Sequence, residues 1–156
     1  MSSTIETATP PDFLNISALD RIVWGEGNFI PDGEHAWRVW CEYSTVLVSR
    51  HRGEPLSESG DIAGALVMFP TQTDEFLLHK IMVHADVRGH GIGSELMRAA
   101  LERAPRPVLL TVNPENDAAV KLYRNFGFEV RERVDGYYRA HEHRYVMVHP
   151  GNVTPQ

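Results

Sequence analysis

Between Ile81 and Ala104 the chain reads IMVHADVRGHGIGSELMRAALERA, and the residues with chemical use stand in its middle. Arg88 is followed by Gly89, Gly91 and Gly93, which alternate with His90 and Ile92. Glycine has no Cβ, so such a backbone can take positive φ and come close to a ligand. Ser94 leads into a stretch where Ile92, Leu96, Ala100 and Ala104 recur every fourth residue, with Met97 and Leu101 beside them. That spacing predicts one apolar face of an amphipathic helix. The first turn of a helix offers unpaired N–H groups and the positive end of the dipole. Turn and helix start together form an anion site, suited to a phosphate or pyrophosphate. Two common phosphate motifs are excluded. No G-K-[ST] follows, and Leu96 stands where the dinucleotide fingerprint counted from Gly91 needs its last glycine. A tight turn that binds nothing is the plain alternative.

Further ionisable groups precede the turn. The spacing predicts a strand over 75–83, in which Glu75, Leu77, His79, Ile81 and Val83 share one face and Phe76, Leu78, Lys80 and Met82 the other. Glu75 and His79 thus lie on the face of the residue that enters the turn. Histidine titrates near neutrality and suits proton transfer. Either group also fits a solvated or hydrogen-bonded surface role. His84 and His90 lie in the link and the turn.

The remaining elements must position this unit. Residues 1–11 are polar, end in Pro10-Pro11, and read as a disordered tail. Phe13 to Trp24 reads as a first strand running into a helix. Trp37, Trp40 and Tyr43 fall at helical spacing between Glu34 and Ser44, facing a core or lining a cleft. Strands are expected at 45–49 and 61–69, joined as an antiparallel hairpin by a charged loop with Gly53, Pro55 and Gly60. After the helix, Val108 to Val112 reads as a strand parallel to 75–83, given a right-handed crossover. Asn116 or Asp117 caps the next helix, whose core face is Ala118, Ala119, Leu122, Tyr123 and Phe126, and Gly127 stops it. Strands from Phe128 to Arg133 and from Tyr145 to Val148 finish the domain, which spans 12–150, with a frayed end at 151–156.

Two blocks carry a family resemblance. Val83-x4-Arg88-Gly89-His90-Gly91-Ile92-Gly93 resembles the acetyl-CoA signature of the GCN5-related N-acetyltransferase (GNAT) superfamily. Asn116-Asp117-Ala118-Ala119-Val120-Lys121-Leu122-Tyr123, then Gly127-Phe128, resembles its second conserved segment. The likeness covers roughly residues 60 to 149. It implies an α/β (α+β) fold: a mixed, mainly antiparallel sheet of six to seven strands, about four helices, and a splayed parallel strand pair holding acetyl-CoA. It implies that the backbone of Ile81, Met82 and Val83 pairs with the pantetheine arm, with the Val83 N–H as oxyanion donor. Arg88, Gly89, His90, Gly91, Ile92, Gly93 and Ser94 would face the pyrophosphate. Asn116 would hydrogen-bond the cofactor, besides or instead of capping its helix. Tyr123 would protonate the leaving thiolate, or be a core aromatic. Relatives commonly carry a glutamate on the next strand, but Thr111 stands there. Glu75, His79 or water is left as the base.

The ending Gly136-Tyr137-Tyr138…His143-Arg144-Tyr145-Val146-Met147 partly resembles that of protein N-terminal acetyltransferases, with His143 and Arg144 departing from it. The expected activity is therefore acetyl transfer from acetyl-CoA to a primary amine by direct attack. The acceptor is a small amine or amino compound, or a peptide N-terminus or lysine. A non-catalytic acyl-CoA sensor is the other class that fits.

Composition narrows the partners. The chain has 156 residues, 42% of them hydrophobic, enough for one ordinary core. A formal charge of −6 argues against nucleic acid. No apolar run reaches spanning length, so no membrane partner is expected. Cys41 is the single cysteine, which excludes an internal disulfide and fits a reducing cytoplasm. Its neighbours Trp37, Trp40 and Tyr43 point to a packing role. His141 and His143 alternate without a third ligand, so no metal is expected. The protein is expected as a monomer or homodimer.

Overall fold

The computed structural model describes residues 4–24 and 30–152. They form strands β1 (Thr4–Thr7), β2 (Thr45–Arg50), β3 (Ile62–Pro70), β4 (Phe76–Val83), β5 (Val108–Val112), β6 (Glu129–Val134) and β7 (Arg144–His149). The helices are α1 (Phe13–Trp24), α2 (Glu34–Tyr43), α3 (Ile92–Arg103) and α4 (Asp117–Phe126). The sheet runs in the order β1-β2-β3-β4-β5-β7-β6. β4 and β5 are parallel, and the pairs β1–β2, β2–β3, β5–β7 and β6–β7 are antiparallel. This is the mixed sheet with four helices that the resemblance implies. By internal packing the chain divides into two compact units, Met1–Phe69 with Lys80–Ala100, and Pro70–His79 with Leu101–Gln156.

In the first unit the core lies among β2, β3, α1 and α2. Ile16, Leu19, Trp37, Val46, Val48, Ile62, Ala65 and Val67 are all buried in it, and Cys41 joins them. β3 is buried along seven of its nine residues, which is why IAGALVM reads as a continuous apolar run rather than an alternating one. Three expectations change here. Thr4 to Thr7, expected within a disordered tail, form an edge strand paired from Thr4–Arg50 to Thr7–Leu47. Main-chain pairing needs no apolar pattern, and Ile5 alone supplies little of one. The Arg50 guanidinium adds hold on Glu6 at 2.6 Å and Asp12 at 2.8 Å. Phe13 to Trp24 is helix throughout, with no leading strand. Of the aromatics on α2, Trp37 is core, Trp40 stacks on Phe69 at 5.9 Å, and Tyr43 is exposed.

In the second unit β5 contributes Val108, Leu110 and Val112 inward. β7 pairs with β5 from Val108–His149 to Val112–Tyr145 and with β6 on its other side, so β6 rather than β7 forms the sheet edge. α4 buries Val120, while Leu122 is 48% exposed and Ala118 is exposed. The apolar arc of α4 is wider than its contact, and packing selects the row through Val120 and Tyr123. Gly151 and Asn152 are held, since Asn152 donates to the carbonyls of Ala104 at 2.8 Å and Glu102 at 2.9 Å. The rest of the end expected to fray, 153–156, lies outside the described residues.

Candidate functional site

β4 enters the turn as the alternation predicts. Leu78, Lys80 and Met82 are buried, while His79 is exposed and Leu77, Ile81 and Val83 are half-buried. After β4 the His84 N–H donates to the Ala63 carbonyl of β3 at 2.8 Å. Successive residues of a strand point their N–H groups to opposite edges, so the Val83 N–H faces away from β3.

A 3-10 turn over Ala85–Val87 carries the chain on to Arg88. The Arg88 Nε donates to the Val83 carbonyl at 3.1 Å, closing the link into a small ring. Gly89 and Gly91 then adopt φ of +86° and +80°. Side chains rarely take such angles, so these two positions require glycine. A Cβ placed on either would meet nothing within 4 Å, so the backbone here lies open to an approaching group. Gly93 has ordinary φ and lies inside the helix, where a Cβ would sit 3.6 Å from Val83 Cγ2. α3 starts at Ile92, and its first closing bond is Glu95 N–H to Gly91 O at 3.0 Å. The N–H groups of Ile92, Gly93 and Ser94 therefore lie in the first turn without an intrahelical acceptor. Together with the exposed Arg88 and the helix dipole they make a cradle that can hold an anion, within the first unit.

The closeness of α3 to the sheet depends on β3. A Cβ on Gly64 would lie 3.0 Å from Ile92 Cγ2, 3.1 Å from Leu96 Cδ1 and 3.1 Å from the Met82 carbonyl. Gly64 thus lets the cradle's helix sit down on β3 and β4.

In the second unit the parallel ladder of β4 and β5 covers Phe76–Val108 and Leu77–Leu109 only, although both strands run on. Asn116 caps α4, its side-chain oxygen accepting the Ala119 N–H at 3.2 Å. Gly127, with φ +103°, ends the helix. Tyr123 packs edge-on against Phe128, with ring centroids 5.9 Å apart. Burial pushes its phenol pKa up, so it holds its proton at neutral pH and has one to give. Glu75 lies just before β4, and its carboxylate is occupied by Arg131 at 2.9 Å and by the Thr73 hydroxyl at 2.9 Å.

Sequence reasoning missed a buried charge cluster on β4. Lys80 pairs with Asp20 of α1 and with Asp32 before α2. The available signal was Lys80 itself, the one charged residue on an otherwise apolar strand face. It also missed the contacts of His84, which no spacing announces. Among the described residues no cluster of metal-ligating side chains occurs, and no helix is long and apolar enough to cross a membrane.

A mixed sheet with one briefly paired parallel couple, and a glycine turn that opens a helix start to an anion, define the class: an α/β fold of the N-acetyltransferase type. The chain belongs to the Acetyltransferase (GNAT) family, whose profile matches residues 16–128. Among its relatives, the uncharacterized N-acetyltransferase MJ1207 of Methanocaldococcus jannaschii is 42% identical over 66 residues, 40% of this chain and 29% of that protein. The N-alpha-acetyltransferase RimI of Mycobacterium tuberculosis is 40% identical over 116 residues, covering 69% of this chain and 71% of that protein. The chain thus spans under a third of the archaeal relative's length and about seven-tenths of RimI's. The crystal structure of the ribosomal-protein-S18-alanine N-acetyltransferase from Escherichia coli superposes with a TM-score of 0.80 at 20% identity, over 99% of this chain and 97% of that one. At that identity the likeness is one of fold.

Proposed function

We propose that this chain moves an acetyl group from acetyl-CoA to a primary amine. The observation that carries the proposal is the anion cradle: two glycines held at positive φ with open space above them, at the start of a twelve-residue helix. Family membership supplies the ligand that fits it, a coenzyme pyrophosphate. The thioester of that coenzyme is the acyl donor, and a neutral amine attacks its carbonyl carbon. The chain's residues do the rest. N–H groups of Ile92, Gly93 and Ser94, with Arg88, hold the phosphates. The Val83 N–H donates to the carbonyl oxygen as it gains charge. Tyr123, kept neutral by burial, gives its proton to the leaving sulfur. His79 takes the amine's proton, directly or through water. It is exposed on the face of β4 that enters the turn, and an imidazole suits proton transfer near neutrality. Asn116 orients the cofactor in this reading while capping α4.

The acceptor in this reading is a small amine or amino compound. A second reading is a peptide N-terminus. It is supported by 40% identity to a protein named as an N-alpha-acetyltransferase. The exposed pair Tyr137 and Tyr138 between β6 and β7, with the Arg144 guanidinium 5.1 Å from the Tyr138 ring, also suits a peptide.

Thermal shift with acetyl-CoA, CoA, ATP and NAD tests the cofactor, and thiol release over an amine and peptide panel tests the acceptor. A melting rise with the CoA species alone is expected. Gly91→Glu, which adds bulk and negative charge in the cradle, removes that rise. An equal rise with ATP, or the same rise in Gly91→Glu, refutes the site.

A further inference from the structure

The link between β4 and the cradle holds a Ser–His–Asp grouping that the proposed reaction does not use. His84 is buried, 3% exposed. Its Nε2 lies 3.0 Å from the Ser57 hydroxyl of the β2–β3 loop. Its Nδ1 accepts the Asp86 N–H at 3.1 Å, with the Asp86 carboxylate 3.8 Å away.

The tautomer decides what this grouping does. Because Nδ1 accepts, the neutral ring carries its proton on Nε2, and Nε2–H donates to the Ser57 oxygen. A hydrolytic triad needs the reverse: Nδ1–H on the carboxylate and a bare Nε2 to take the serine proton. Ser57 is therefore no nucleophile, and the grouping is a tether.

Both ends of the tether are well held. The β2–β3 loop is closed on itself: the Leu56 N–H donates to Gly60 O at 2.8 Å, the His51 N–H to Asp61 O at 2.6 Å, and the Ser59 hydroxyl to Ile62 O at 3.0 Å. Leu56 and Ser59 are buried and flank the exposed Ser57, so the serine is presented from a fixed base. At the other end, the Asp86 N–H belongs to the 3-10 turn that sets the direction of Arg88 to Ser94. The His84 N–H stays on Ala63 O whatever its side chain, so β4 itself is not at stake.

We infer that His84 is a positioning residue, which through Ser57 and the Asp86 N–H fixes the phosphate cradle against the β2–β3 loop. The inference rests on the cradle's being the coenzyme site. It assigns His84 to coenzyme affinity and not to the chemical step.

Substitutions separate the two ring nitrogens. His84→Asn places an oxygen near Nδ1 and keeps the cap on the Asp86 N–H. His84→Gln reaches only the Nε2 position, and His84→Ala removes both. KM for acetyl-CoA is expected to rise about fivefold to tenfold in His84→Ala, which loses both contacts, with kcat within about twofold. His84→Asn and His84→Gln, each keeping one of the two contacts, are expected to raise KM only about threefold. Ser57→Ala, on the exposed loop, raises KM about threefold and tests the tether where a buried variant fails to fold. A KM unchanged in both His84→Ala and Ser57→Ala, or an Asn variant as weak as the Ala variant, overturns the inference. Wild-type protein that shows no CoA-dependent melting rise overturns instead the coenzyme reading beneath it.

Discussion

The Nζ of Lys80 lies 2.8 Å from Oδ1 of Asp20, with the two side chains 5% and 0% exposed. Asp20 also accepts the Trp37 indole N–H at 2.8 Å and the Asp32 N–H at 2.8 Å. Lys80 reaches Asp32 at 2.7 Å and sits 4.6 Å from the Trp24 ring centroid. One lysine thus ties β4 to α1 and to the entry of α2. Such a pair stabilises little relative to an apolar substitute, but losing one partner strands a buried charge.

Lys80→Met is therefore expected to cost about 3–5 kcal/mol, because it leaves Asp20 buried without its cation. Asp32→Asn costs less, about 1 kcal/mol, since that side chain is 24% exposed and water replaces part of the loss. Urea denaturation measures both. Equal costs would show that burial does not set the order.

Gly64→Ala brings a methyl group to 3.0 Å from Ile92 Cγ2 and 3.1 Å from the Met82 carbonyl. The carbonyl cannot yield cheaply, so α3 shifts. A stability loss of about 1–3 kcal/mol is expected. Because α3 carries the cradle, calorimetry is expected to show weaker CoA binding as well. Gly93→Ala is the contrast: its Cβ meets Val83 at an ordinary 3.6 Å, and stability is expected to hold.

Tyr123→Phe removes the proposed acid while keeping the ring on Phe128. Turnover is expected to fall about a hundredfold or more with little change in KM for acetyl-CoA. The pH profile carries a second check. The acid acts when protonated, and burial raises its pKa. Its loss therefore enters only as pH rises beyond the ordinary phenol range, and contributes no fall between neutral pH and that range. Full turnover in Tyr123→Phe would remove the role.

Cys41 is buried among Trp37 and its neighbours, and burial, helped by Asp12, pushes its thiol pKa up to about 11. At pH 8 only about a thousandth is thiolate, the reactive form. Alkylation is expected to be slow in the folded protein and to speed up in step with urea unfolding. Fast labelling of native protein would mean the thiol is reached without unfolding.

Much of this protein follows from local pattern. The glycine turn, the helix after it, the Asn116 cap, the Gly127 stop and the alternation of β4 are each written in a few neighbouring residues, because a turn, a cap or a strand face depends on atoms close in sequence. Tertiary structure decided the rest, where the partners lie far apart in the chain. Thr4 to Thr7 become strand only because β2 offers an unpaired edge. Leu122 stays exposed because packing of α4 favours the Val120 row. Lys80 finds Asp20 sixty positions away, and Ser57 meets His84 across the β2–β3 loop. No spacing rule reaches over such distances, since the energy that joins these groups exists only once the intervening chain has folded and water has been excluded from between them.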